Sequence, residues 1–252
     1  MFHVEHERYI IENLPDLNIQ DQTACKLLSY AESIYSASSS LNLTGHKTLD
    51  DIVRDLIVGS LVPFTVKYVP RGRYFIDIGT GAGVPGIPYS IVFNDARGLL
   101  LDSNSKKISF IEGVIENLGL ENIEAVSLRA EEAAREQKFR DAFSIVMTRA
   151  MASMYMMAEL SSGFLRPDGI LCLHSREGIE SQPAEAMAHT ESCGLMPCTA
   201  QETAASGIRG CILLKKVKAC PDRFPRRYAV IKRESDRIYA DKKSSPENIP
   251  LL

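Results

Sequence analysis

No run in this sequence of 252 residues approaches the ~20 consecutive apolar residues of a membrane-spanning helix, so a helical membrane protein is not expected. The opening stretch MFHVEHERYI carries acids and histidines and lacks the apolar core of a secretory signal, which points to a cytoplasmic protein with no membrane partner. Cys25, Cys172, Cys193, Cys198, Cys211 and Cys220 show no CxxC spacing, so neither a disulfide framework nor a metal site is expected. Tryptophan is absent, and no recognised RNA-binding module is present. Any RNA partner would therefore be recognised through shape.

What is present is ordinary globular material, 45% hydrophobic and 24% charged, enough for one large α/β domain with a small extra lobe. The net charge of −3 hides an asymmetry. Residues 209–252 hold 12 Lys and Arg against 5 Asp and Glu, a net of +7, which leaves −10 for the rest. A basic end on an acidic body suits either a polyanionic partner or a plain solvated surface.

Three regions follow. Residues 1–70 read as helical, with Ala24, Leu27, Leu28, Ile34 and Tyr35 on one face and Asp21 as a cap, then a loop SSSLNLTGHKT. A second helix over LDDIVRDLIVGSLVPF should stop near Gly59 or Pro63. Residues 71–218 alternate strand and helix. RYFIDIG, GLLLLD, IEAVSL, DAFSIVMTRA and ILCLHS (after the turn RPDG) supply five strands of a parallel, doubly wound sheet. Between them, PGIPYSIVF begins a helix with Pro85 in its first turn, and SKKISFIEGVIENLGL is amphipathic. Residues 219–252 form a basic tail, expected to be partly irregular.

Within FIDIGTGAGVPG, four glycines fall in eight positions directly after a strand. Glycines permit tight turning and let ligand atoms reach backbone N–H groups, and a following helix N-terminus adds partial positive charge. Gly81, Gly83 and Gly86 satisfy GxGxxG, which alone suits a dinucleotide. Asp77, two residues before Gly79, disfavours a pyrophosphate and favours a cofactor that carries a cation, as in the first motif of S-adenosylmethionine methyltransferases. There the carboxylate orders the loop and the methionine ammonium. Asp102 ends the second strand, 19 residues beyond Gly83, where an acid holds a ribose through its hydroxyls. Both cofactors contain ribose. A packing turn, with Asp102 as a helix cap, is the non-functional alternative.

The chain resembles the RsmG/GidB group, bacterial 16S rRNA guanine-N7 methyltransferases, from about Leu41 to Gly169. The residues that carry this are Asn42-Leu43-Thr44, DIGTGAGVPGIP, LLDSNSKK, LGLENIEAVSLRAEE, TRAMAS and LRPDG. The resemblance implies a Rossmann-like class I S-adenosylmethionine methyltransferase fold with an N-terminal helical extension, and a 16S rRNA or 30S-subunit partner. It implies that Gly79, Thr80, Gly81, Gly83 and Val84 contact the cofactor, that Asp102 takes the ribose, and that Ala130-Glu131 lie beside the adenine. Arg149, ending the fourth strand, would be the catalytic residue and touch the cofactor at the rim; a salt bridge with a neighbouring acid is its plainer role. The family's RHxxDS-like helix reads here Arg54-Asp55-Leu56-Ile57-Val58-Gly59-Ser60. Its LxLKG reads LCLHSREG, so His174 or Arg176 would replace the lysine, and its late YPR-type tail reads Phe224-Pro225-Arg226-Arg227.

Guanine N7 has a lone pair and no proton, so it needs no general base. The sequence fits: it holds no NPPY or DPPY segment, and the fourth strand ends in Thr-Arg rather than Pro-Cys. Candidate RNA-facing cations are Arg71, Arg73, His46-Lys47, Lys106-Lys107, Lys215, Lys216, Lys218, Arg223, Arg226 and Arg227. A monomer is expected. A methyltransferase with another substrate, a non-catalytic ribosome assembly factor and an NAD-binding oxidoreductase remain the competing readings.

Overall fold

The computed structural model describes residues 2–65, 69, 74–175, 177–198 and 210–244. Seven strands form one sheet in the order β3-β2-β1-β4-β5-β7-β6. They are β1 (Tyr74–Ile78), β2 (Arg97–Asp102), β3 (Ile123–Ser127), β4 (Phe143–Arg149), β5 (Leu165–His174), β6 (Leu195–Pro197) and β7 (Cys211–Lys216). The first five pair in parallel, and β7 runs antiparallel between β5 and β6.

Parallel strands bury both faces, which is why their sequences read as near-continuous apolar runs. Alternation then divides the core. Phe75, Leu100 and Ile145 join a cluster with α1 (Phe2–Asn13), α2 (Asp21–Leu41) and α5 (Ser105–Leu118). Ile76, Leu99, Leu101 and Val146 point the other way, toward α7 (Met154–Ser162), α8 (Ala184–Ser192) and α9 (Tyr228–Ser244). The N-terminal helices thus share one core with the sheet rather than forming a lobe with a core of its own. The sheet is doubly wound, as expected. After β1 the chain moves to β2 on one side and later returns to β4 on the other, which leaves a crevice at the carboxyl ends of these strands.

Local details differ from the sequence reading. The helix α2 extends through Ser38–Ser40 to Leu41; Gln20, not Asp21, is its N-cap, and Tyr35 is 51% exposed. The next helical run, α3 (residues 49–61), starts at the Thr48 hydroxyl, which accepts the Asp51 N–H at 3.1 Å. Its middle, Ile52–Val58, is π-helical, and Gly59 continues it with helical dihedrals (φ −59°, ψ −26°). The α-helix ends at Leu61 and passes into a 3-10 turn, Val62–Thr65, so the stop falls near Pro63 as expected, while Gly59 does not interrupt the helix. The RPDG turn lies within β5, where Asp168 takes a left-handed φ of 62° and the pairing with β4 shifts register. Pro85 precedes α4 (Gly86–Val92) as its N-cap.

Both β6 and β7 were missed, and the basic tail is not irregular over 228–244, where it forms α9. Two of the expected RNA cations are structural. Lys216 is 2% exposed; it contacts Asp141 at 2.5 Å and donates to the carbonyls of Ser162 (3.0 Å) and Leu165 (2.6 Å). Arg226 is bound to the fully buried Glu159. A lysine or arginine reads as surface in a sequence unless its distant acid is known. Arg71, Arg73 and Arg176 lie outside the described residues.

Candidate functional site

The crevice is a cavity of about 1530 Å³. Its floor is the turn after β1. Gly79 and Gly81 take left-handed φ values of 66° and 61°, which a side chain would strain. Across from the loop, Met151 covers Gly79 so closely that a Cβ there would lie 2.5 Å from its Sδ. Met151 reaches this position because Ala150, just after β4, takes a left-handed φ of 51°. Such strain in a non-glycine residue clusters at functional sites.

Asp77 lies beneath the loop. It is fully buried, and its Oδ2 accepts the Thr80 hydroxyl at 2.7 Å and the Gly86 N–H at 2.8 Å. It ties both ends of the turn from beneath and does not line the cavity. Burial raises its pKa from 3.8 to about 7; the two hydrogen bonds oppose the rise, and Asp102 adds to it. The folded protein therefore holds this proton more tightly than the unfolded chain. The contribution favours folding at low pH and is lost as pH rises from about 4 to about 7. Asp77→Asn is expected to gain stability relative to the wild type at pH 8 compared with pH 5. Urea denaturation at both values measures this, and equal differences would contradict it.

Gly79, Thr80, Gly81 and Val84 all line the cavity. Gly83 does not; its φ is 101°, and a Cβ would meet Ile87 at 2.5 Å and the Tyr30 hydroxyl at 2.9 Å. That glycine lets α2 approach, and Tyr30 in turn donates to the Ala82 carbonyl at 2.8 Å. The N-terminal helices thus buttress the loop from behind.

On the β2 side, Asp102 faces the cavity. Its Oδ2 accepts the Gly81 N–H at 3.0 Å and its Oδ1 the Asn104 N–H at 2.9 Å. Asn104, not Asp102, caps α5 by accepting the Lys106 N–H. Ala130 and Glu131 sit beside Asp102 at the start of a short helix, α6 (Ala130–Ala133), and line the same wall. On the opposite side, Arg149 lies at the end of β4, near Gly59 of α3. The Asn42-Leu43-Thr44 loop, His46, Arg54 and Asp55 close the mouth, as does Lys107.

His174 borders the cavity, but its Nδ1 lies 3.3 Å from the Thr148 carbonyl and its Nε2 3.1 Å from that of Ser60. Burial, with the Arg149 charge, lowers its pKa to about 4. It is a neutral structural imidazole rather than a replacement for the missing lysine. Tyr228, at the start of α9, also lines the cavity. Its sequence signal was slight: a tyrosine after Pro-Arg-Arg, far from every other site residue.

A glycine-floored crevice with a carboxylate one strand over matches a family at the sequence level: the family described as rRNA small subunit methyltransferase G (GidB) matches residues 23–205. The chain belongs to that family. The ribosomal RNA small subunit methyltransferase G of Fervidobacterium nodosum is 31% identical over 205 residues, covering 80% of this chain and 92% of the relative. Its namesake from Deinococcus deserti is 33% identical over 218 residues, covering 84% and 86%. Among solved structures, the chain is similar to geranyl diphosphate C-methyltransferase from Streptomyces coelicolor (12% identity, 75% of this chain, 98% of that one, TM-score 0.49).

S-adenosylmethionine is the cofactor of this methyltransferase family member. The residues present fit it. The cavity is floored by a turn whose Gly79 and Gly81 carry no side chain, and the adjoining wall offers carboxylate acceptors at Asp102 and Glu131.

Proposed function

We propose that the protein methylates N7 of a guanine in 16S rRNA, acting as a cytoplasmic monomer on the small ribosomal subunit. The observation that carries this reading is the meeting of Asp102 and the Gly81 N–H, 3.0 Å apart, on the cavity floor. That pairing brings a sugar-binding carboxylate against a side-chain-free turn.

When bound, the cofactor supplies a methyl group on a sulfonium, open to displacement by a nucleophile in line with it. Backbone groups of Gly79, Thr80, Gly81 and Val84 hold its methionyl part. Asp102 accepts from the ribose hydroxyls, and Ala130 and Glu131 read the adenine edge. Alignment is then the main demand, since positioning alone lowers such barriers by about 7–11 kcal/mol. The N7 lone pair attacks without losing a proton, so no residue here has to act as a base. Arg149 donates to the incoming base or its phosphate and fixes its approach.

The test is incubation with labelled S-adenosylmethionine and 30S particles from a strain that lacks this enzyme, followed by mass mapping of the rRNA. 7-Methylguanosine at one 16S position is expected. A folded sample that binds the cofactor and leaves 16S rRNA unlabelled would refute the reading; particle binding without cofactor affinity would select an assembly factor.

A further inference from the structure

Outside the cavity, α9 carries an outer face rich in arginine. Ile231, Ser235 and Ile238 are buried against the body, which leaves Arg227, Arg233 and Arg237 exposed. The two acids between residues 228 and 240 are withdrawn from that face or neutralised on it. Glu234 turns inward to Arg226 (2.9 Å) and the Tyr155 hydroxyl (2.6 Å). Asp236 is paired with Lys232 at 2.6 Å, one helical turn away. Among the described residues, no ion pair engages Arg227, Arg233 or Arg237. Arg233 and Arg237 stand one turn apart, about 5–6 Å between their Cβ atoms.

Two further features give this face a direction and a fixed position. Tyr228 lines the cavity, so the arginine track begins at its mouth. The helix is anchored: Ser153 and Ser235 hydroxyls meet at 2.6 Å, and Tyr239 donates to Gln182 at 2.7 Å. A cationic face held rigidly beside the reaction site suits a strand of phosphates, because its charge needs no ordering when the partner arrives. The segment lies beyond residues 23–205, which the family matches.

We propose that the outer face of α9, together with Arg227 just before it, is an RNA-docking surface, on which Arg227, Arg233 and Arg237 bind phosphates of the rRNA segment flanking the target base. This rests on the rRNA reading above. Each arginine contributes through counterion release, so binding weakens linearly on a log–log salt plot, by about 0.7 in slope per single-stranded phosphate contact.

The experiment compares the wild type with the triple variant Arg227→Ala, Arg233→Ala, Arg237→Ala. It reads KM for 30S particles, cofactor affinity, thermal stability and binding to deproteinised 16S rRNA across a salt series. The expected result is a KM at least about tenfold higher and a salt slope lower by about 2 on both RNA probes. Cofactor affinity and melting temperature should stay unchanged. Unchanged KM and slope would overturn the proposal, as would a loss seen on particles but not on stripped rRNA, which would assign the face to a ribosomal protein. A KM change that tracks a fall in stability would overturn it too. Failure of the wild type to methylate 16S rRNA would strike the preceding reading instead, and the slope on stripped rRNA would still judge this one.

Discussion

Glu159→Ala is expected to lower the unfolding free energy by about 3–5 kcal/mol, the usual result of stranding one partner of a buried ion pair. For a chain of this size the melting temperature would fall by roughly 6–20 °C. Glu159 is fully buried on α7. Its Oε1 accepts from the Arg226 backbone N–H at 2.6 Å and from Nε at 3.0 Å, while its Oε2 accepts from Nη2 at 2.8 Å and lies 3.0 Å from His189 Nε2. His189 stacks on Tyr155 with ring centroids 3.8 Å apart, and Tyr155 bonds Glu234 of α9. One carboxylate therefore gathers α7, α8 and the start of the C-terminal segment. Alanine would leave the Arg226 backbone N–H without its acceptor and the guanidinium, 28% exposed, with only Glu234 and the Tyr155 hydroxyl as partners. Glu159→Gln, which keeps an acceptor oxygen but loses the charge, should cost less.

The pH dependence has a definite sign. Burial raises the Glu159 pKa, but the hydrogen bonds from His189 and Arg226 outweigh it and hold the value at about 2, below the ordinary 4.5. The folded state thus favours the charged form. Its stabilisation is complete above 4.5 and is lost as pH falls through that value toward 2. In Glu159→Gln this part of the acid transition should disappear. Equal acid sensitivity in variant and wild type, measured by urea denaturation between pH 5 and pH 3, would show that the latch contributes little.

This network also marks where sequence reasoning ran out. The strand–glycine–helix unit was legible because it is local: β1, its turn and α4 are set by adjacent residues, and Asp102 is fixed by the β1–β2 register, Ile78 opposite Leu101. Arg149 and Ala130-Glu131 follow from the same parallel pairing. What was not legible depends on partners far along the chain. Arg226 and Lys216 carry the same charge as surface cations until Glu159 and Asp141 are seen beside them. Tyr228 reaches the cavity from a helix held by that latch and by the core packing of Ile231 and Ile238. Gly83 read as a ligand contact, yet the space it leaves is needed by Ile87 and Tyr30. The π-helical stretch of α3 has no local signature in its apolar periodicity either.

In the proposed site, Asp102→Ala is expected to weaken S-adenosylmethionine binding by about 100-fold, equivalent to about 2.8 kcal/mol. Two hydroxyls of a ribose donate naturally to one carboxylate, and each hydrogen bond to a charged acceptor contributes about 1.5–3 kcal/mol. Part of that is offset, because the carboxylate already accepts the Gly81 and Asn104 N–H groups and must share itself with the sugar. Its removal therefore also releases the loop from its neighbour strand, which makes the alanine variant worse than the loss of ribose contacts alone. Asp102→Asn separates the two effects. It retains one oxygen able to accept a backbone N–H but loses half of the acceptor capacity toward the sugar, so its affinity should fall between the others. Calorimetry with S-adenosylmethionine measures the loss, and KM for the 30S particle should stay within twofold for both variants, since the proposed RNA contacts, Arg149 and the α9 face, do not include Asp102. Wild-type cofactor affinity in Asp102→Ala would mean that the sugar is held elsewhere. The cavity floor would then be only a tightly packed turn, and the assignment of the cofactor to this wall would fall with it.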